Sequence, residues 1–164
     1  MSAYISLATP MTDRECLLDA LAELGFGADK VEVHEEGTAL VGYMGRSRAQ
    51  QAHVVIRRQH VGAGSNDIGF ERTATGFRAH VSGFDHPRYG GGWLSRLGAA
   101  YQEQHRQKLA RLADAERQRI EEERRRLVEA QRQEIHKKAK KMGYRVQETR
   151  EGDKLRLVLV KRVY

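Results

Sequence analysis

Few residues of this chain have the type and spacing that chemistry needs. Cys16 is the only thiol among 164 residues. A nucleophilic cysteine requires a nearby base and an anion hole, and no motif marks either. Cys16 sits inside a leucine-rich pattern and reads as a small packing residue. The seven histidines are His34, His53, His60, His80, His86, His105 and His136. No two stand three or four apart on one helix, so a metal centre would need the fold to gather them. His80 shares a strand face with Arg78, opposite Phe77, Ala79 and Val81, and reads as exposed. Asp67 reads as a turn or strand-start residue that bonds local backbone. Two segments could cradle a phosphate, Gly62–Asn66 and Gly90–Gly92. Neither is followed by the Gly-Lys-Ser/Thr of a phosphate-binding loop, so both read first as flexible connections. Gly90–Gly92 does precede a helix N-terminus, where anions are favoured. These residues predict no catalytic group, no cofactor and no metal.

Charge says more. The formal net charge is +7 and charged residues make up 31% of the chain. A basic balance suits nucleic acid, an anionic surface or an acidic protein, and selects none of them. Basic side chains cluster at Arg46, Arg48, Arg57 and Arg58, and again at Lys137, Lys138, Lys140 and Lys141. Arg46, Arg48 and the four lysines are the candidate phosphate contacts. No aromatic platform is interleaved with them in the sequence, and no known nucleic-acid-reading motif is present. The lysines also lie at a helix end, where cations complement the helix dipole.

The elements that would position these residues follow from periodicity. Ala3–Leu7 alternates and reads as a strand. Thr12 reads as a helix N-cap with Glu15 three residues on; Leu17, Leu18, Leu21 and Leu24 follow, and Gly25 closes the helix. Val31 and Val33, then Ala39–Tyr43, read as two strands about a turn at Glu36-Gly37. Gly45–Gln51 reads as a loop, Ala52–Arg57 as a strand and His60–Ser65 as a Gly-rich loop. Asp67–Glu71 and Gly76–Val81 read as a hairpin. Phe84–Gly92 reads as irregular; Trp93, Leu94, Leu97 and Tyr101 give one helical face. At the end, Tyr144–Glu148 and Leu155–Val160 form a second hairpin about Glu151-Gly-Asp. Helices segregated from hairpin-linked strands indicate α+β: an antiparallel sheet with a short N-terminal helix, then a long charged helix and a β-hairpin.

That long helix is the dominant feature. Ala99–Met142 lacks Gly, Pro, Asn and Ser and is rich in Arg, Lys, Glu, Gln and Ala, all of them strong helix formers. At about 1.5 Å per residue it would run roughly 65 Å. Its apolar residues are sparse. Ala113, Ile120 and Leu127 are seven apart, but Glu116, Glu123 and Ala130 occupy the alternate seam, half of what a coiled coil wants. Pairs of the Glu121–Arg125 and Glu122–Arg126 kind support a solvated helix instead; Arg117–Glu121 and Arg119–Glu123 would add reversed pairs. The chain therefore divides into a body over 1–98, a charged helix over 99–142 and a hairpin over 143–164. The helix either stays straight or folds back near Asp114–Glu123. The hairpin either rejoins the first sheet, completes a neighbouring subunit's sheet or stands apart.

Several short motifs, in order, are similar to one family. Leu18-x-x-Ala-Leu-x-x-Leu-Gly25 resembles its first helix, and Val41-x-Gly-Tyr-x-Gly45 its next motif. Val54-Val-Ile56 and Asp67-Ile-Gly-Phe70 are the nearest matches. Trp93-Leu94 to Tyr101, Gly143-Tyr-Arg-Val146 and Leu155–Val160 resemble its end, and Met1-Ser2 its start. The family is that of the hypothetical chloroplast reading frame (Ycf-type) proteins of plastids and cyanobacteria, a domain of unknown function. Departures are Ala3 where the family has His, Ser82-Gly83-Phe84 where it has an aromatic pair, and a second helix lengthened between Tyr101 and Gly143. The resemblance implies no chemistry. It implies an accessory or adaptor role beside an AAA-type ATPase.

The expectation is thus a non-enzymatic assembly or adaptor protein that forms homo-oligomers and binds protein partners. Its contact residues would be Ile120, Glu121, Glu122, Arg125, Arg126 and Leu127. A nucleic-acid-binding module is the alternative. A lone Cys fits a reducing compartment, and the opening residues lack the basic flank and apolar run of a signal peptide, so the expected location is cytoplasmic, with no membrane span.

Overall fold

The fold was obtained as a computed structural model that describes residues 2–161. Met1 of the family-like start, and residues 162–164 of the expected C-terminal segment, lie outside the described residues. Two compact units are present, Met1–Ala110 and Arg111–Tyr164.

The N-terminal unit is built on a five-stranded antiparallel sheet in the order β1-β5-β4-β3-β2. Its strands are β1 (Tyr4–Ala8), β2 (Val31–Val41), β3 (Ser47–Ile56), β4 (Ile68–Thr73) and β5 (Gly76–Ser82). Between them lie α1 (Arg14–Glu23) and two single turns, α2 (Arg58–Val61) and α3 (His86–Tyr89). Register places Val54 beside Phe70, Phe70 beside Ala79 and Leu7 beside Ala79. This row of apolar side chains is one sheet face. It is covered by α1 and by the start of α4 (Gly91–Lys141), whose Trp93, Leu97 and Tyr101 join Leu17, Ala20 and Leu21 in a single core. Trp93 packs edge-on against Phe26 and Tyr89, with centroids 6.0 and 5.3 Å apart. The α+β architecture, the short N-terminal helix and the long helix followed by a hairpin are all present.

Local differences from the expected elements have physical causes. The two short strands about Glu36-Gly37 are one strand, β2, which absorbs the irregularity as register shifts between Val33 and Thr38 and between Ala39 and Val41. Bulges of this kind bend a strand without ending it. Here the bend brings Leu40 over the second sheet face, against Ala52, Val55 and Tyr4. Gly69 leaves the room: a Cβ there would lie 2.7 Å from a Leu40 methyl. The loop expected at Gly45–Gln51 is strand from Ser47 onward, after a tight turn in which Gly45 takes φ +75°. Segments expected to be irregular, His60–Ser65 and Phe84–Gly92, each contain helix.

The α1 cap is Asp13, not Thr12. Its carboxylate accepts from the Cys16 N–H at 3.1 Å. The amides of Thr12 and Asp13 donate instead to the Tyr101 hydroxyl at 3.0 and 2.9 Å. Glu15 does not reach back as a capping box would; Lys108 holds it at 2.5 Å and Asp13 at 2.7 Å. The start of α4 is therefore stitched to the start of α1.

α4 is one helix of 51 residues, beginning at Gly91 rather than Ala99 and with no interior turn, so the fold-back near Asp114–Glu123 does not occur. The last two strands, β6 (Tyr144–Glu151) and β7 (Lys154–Lys161), form their own two-stranded sheet. They do not return to the five-stranded sheet.

Candidate interaction surface

The C-terminal unit is the one whose described side chains are nearly all open to solvent. Its hairpin is antiparallel, with Val146 opposite Leu159 and Glu148 opposite Leu157. It is tied to the helix through Glu148. Arg132 grips that carboxylate with two nitrogens at 2.6 and 2.9 Å, and His136 Nε2 lies 2.5 Å from the same group. A forked arginine–carboxylate pair fixes orientation as well as distance. Hydrogen bonding from Arg132, then from His136, pulls the Glu148 carboxyl down to about 2. Nearer the hairpin tip the unit is open. A groove of about 1010 Å³ is lined by Arg124 and Val128 of the helix and by Gly152 and Leu155 of the hairpin.

Among the described residues of this unit only one side chain, Ala139, is buried, at 3% exposure. Leu112, Ile120 and Leu127 are 58%, 56% and 61% exposed, and Val158, Leu159 and Val160 are also open. At 100° per residue, Leu112, Ile120 and Leu127 fall within an arc of about 80° on the helix. Of the expected contact residues, Ile120 and Leu127 share that arc. Arg125 bonds Glu121 at 3.4 Å and Arg126 bonds Glu122 at 2.6 Å, as their spacing predicts. The reversed pairs do not form. Arg117 takes Asp114, and Arg119 takes Glu116 at 2.8 Å, because an acid one turn toward the N-terminus is the better-placed partner.

The basic candidates separate. Arg46 is exposed on the β2–β3 turn, whereas Arg48 is half-buried with its guanidinium against Gly42. Lys138 leans to Glu134 at 3.5 Å. Lys137 and Lys140 line a depression of about 380 Å³ with His136, Tyr144 and Arg145. Tyr144 supplies an aromatic beside the lysines that sequence order hid, because a glycine turn and a change of element lie between them.

Two polar constellations of the N-terminal unit escaped sequence reasoning. Asp67 is fully buried. It accepts from the backbone N–H of Val41 and of Arg58 at 2.9 and 2.8 Å and from Arg57 Nη1 at 2.8 Å. Its own carbonyl takes the Tyr4 hydroxyl at 2.7 Å. Burial, then the Asp67 charge, pushes the Tyr4 phenol up, and Glu32 ahead of Asp67 holds Arg57 in its charged form. The second constellation is Ser6–His80–Glu71. His80 is not exposed but 4% accessible, with Nδ1 2.8 Å from Ser6 Oγ and Nε2 3.0 Å from Glu71 Oε2. The order hydroxyl, imidazole, carboxylate is that of an activated serine. Here it spans three adjacent strands whose cross-strand partners include Ser6 opposite His80, and it reads as a cross-strand polar bridge. Sequence alternation placed His80 on the correct face, but only pairing shows what covers it.

Cys16 is buried, and that burial raises its thiol pKa. Gly90 is packed so closely that a Cβ would meet the His86 carbonyl at 2.4 Å, which explains the glycine by packing. Among the described residues no group of three or more His, Cys, Asp or Glu could hold a metal ion, and no helix is long and apolar enough to cross a membrane. No family model, curated protein or solved structure matches this chain.

Proposed function

We propose that this chain is a non-enzymatic assembly or adaptor protein whose C-terminal unit is an interaction element for protein partners, a second copy of the chain among them. One observation carries the reading: among its described residues that unit buries a single side chain while nine large apolar residues stand open. A two-stranded hairpin is marginal by itself, and β7 presents the uncharged run Leu157-Val-Leu-Val160 on an edge, guarded by charge only at its ends, Arg156 and Lys161. Such an edge is completed by another strand. An accessory role to an AAA-type ATPase, implied by the resemblance alone, is one form of this reading, and a cytoplasmic location goes with it.

Light scattering and hydrogen exchange test it. The chain is expected to exceed its monomer mass of 18.7 kDa, and Val158→Lys/Val160→Lys to return it to monomer with its helix signal kept. A chain that is monomeric at every concentration, with β6 and β7 amides as protected as those of β3–β5, needs no partner and overturns the proposal.

A second reading, a nucleic-acid-binding module, is favoured by the Lys137, Lys140, Arg145 and Tyr144 depression. Cations beside an aromatic are what a single strand needs. It predicts binding of an oligonucleotide that weakens steeply with salt and is lost in Lys137→Glu/Lys140→Glu. Absent or salt-insensitive binding rules it out.

A further inference from the structure

The partner of the α4 stripe can be specified by its charge. This rests on the reading of the C-terminal unit as an interaction element. Around the arc of Leu112, Ile120 and Leu127, the helix carries Arg117 and Arg124 on one flank and Arg119 and Arg126 on the other, each about 60–100° from the centre of the arc. All four are well exposed, at 64–78% of their side-chain surface. Their present partners are acids of the same helix turn, and such exposed pairs are worth only about 0.3–0.5 kcal/mol. They are readily exchanged.

A second copy of the stripe does not fit. Helices aligned in parallel and in register bring Arg119 of one copy beside Arg124 of the other, and set Glu116 and Glu123 against their own images in the seam. Aligned antiparallel about Ile120 and Leu127, they bring Arg119 beside Arg126. Like charges meet both ways, which is the device by which helices reject a wrong partner. The apolar arc in turn argues against nucleic acid, whose phosphates have no use for Ile120 or Leu127.

We infer that the stripe from Leu112 to Leu127 docks an acidic amphipathic helix. That helix has an apolar seam, Asp or Glu on both flanks, and a basic or amide residue at the layers facing Glu116 and Glu123. Leucine and isoleucine anchor it, and the four arginines select it.

The test uses the full chain and a synthetic four-heptad peptide with Leu at the seam, Glu on the flanks and Lys at the two layers facing Glu116 and Glu123. Fluorescence anisotropy is expected to show saturable binding. Arg119→Glu/Arg126→Glu should weaken it roughly tenfold or more, and a peptide with Lys flanks should then bind this variant better than the parent chain. Ile120→Glu/Leu127→Glu should weaken binding by about thirtyfold or more, with circular dichroism confirming that the helix is intact. No binding, equal binding of a scrambled peptide, or a single-stranded oligonucleotide that competes and is itself insensitive to Ile120→Glu/Leu127→Glu overturns the inference. A chain that assembles through β7 but ignores the acidic peptide loses this inference alone; one that neither assembles nor binds loses both.

Discussion

Tyr101 and Asp67 each make several backbone bonds from one side chain, and both are places where a small change should be felt. Tyr101→Phe keeps the ring in the core but leaves the Thr12 and Asp13 amides without their acceptor. A cost of about 1–2 kcal/mol is expected, read as a lowered denaturant midpoint with an unchanged slope. Asp67→Ala is more severe. It strips two amides and Arg57 of a buried acceptor, and breaking a buried charge pair costs about 3–5 kcal/mol. Equilibrium urea unfolding should show it, and Asp67→Asn should recover only part. Neither residue could be assigned this role from its neighbours in the chain. Asp67 reads as a turn or strand-start residue, and it does stand directly before β4, but the strand end it holds at Val41 lies 26 residues away.

Among the elements, the hairpin β6–β7 is the one whose attachment depends on a titratable group. Glu148 has its carboxyl depressed to about 2 from an ordinary 4.5 by Arg132 and His136. A carboxylate depressed in the folded state contributes stability above its unfolded pKa and loses it as pH falls through the folded value. Docking of the hairpin on α4 should therefore be intact above about pH 4.5 and weaken progressively toward pH 2. NMR shifts of Val146 and Leu157 amides would follow it. Arg132→Gln should move the midpoint up toward the ordinary carboxylate value, with the five-stranded sheet unaffected. Helix and hairpin were legible separately, one from its run of helix formers and the other from alternation about Glu151-Gly-Asp. Their connection was not, because Arg132, His136 and Glu148 carry no signal until the turn at Gly143, with φ +77°, folds one onto the other.

At the scale of the whole molecule, one unit is finished and the other is not. The N-terminal unit buries Phe70, Phe77, Leu17 and Leu97 completely, and its edge strands are short or charged. The C-terminal unit leaves both a helix stripe and a strand edge open. Deleting β6 and β7 should therefore leave the N-terminal unit's melting temperature nearly unchanged while abolishing assembly, as calorimetry and light scattering would report. If the deletion instead lowers the melting of the whole chain by many degrees, the hairpin is part of the body and not an interaction element.

Local chemistry sufficed for most strands, for α1 and for the long helix, though not for the turns α2 and α3, the continuity of β2 or the start of β3 at Ser47. Periodicity, capping residues and glycine turns specify strands and helices because they act over a few residues, and the charge of α4 specifies a solvated helix for the same reason. Tertiary structure alone decided that Asp13 and not Thr12 caps α1, that His80 is enclosed by Ser6 and Glu71, that Leu40 bends over Gly69, and that the last hairpin keeps to its own sheet. Each of these depends on which distant strand or helix arrives beside a residue, and burial and pairing partners are properties of that arrival.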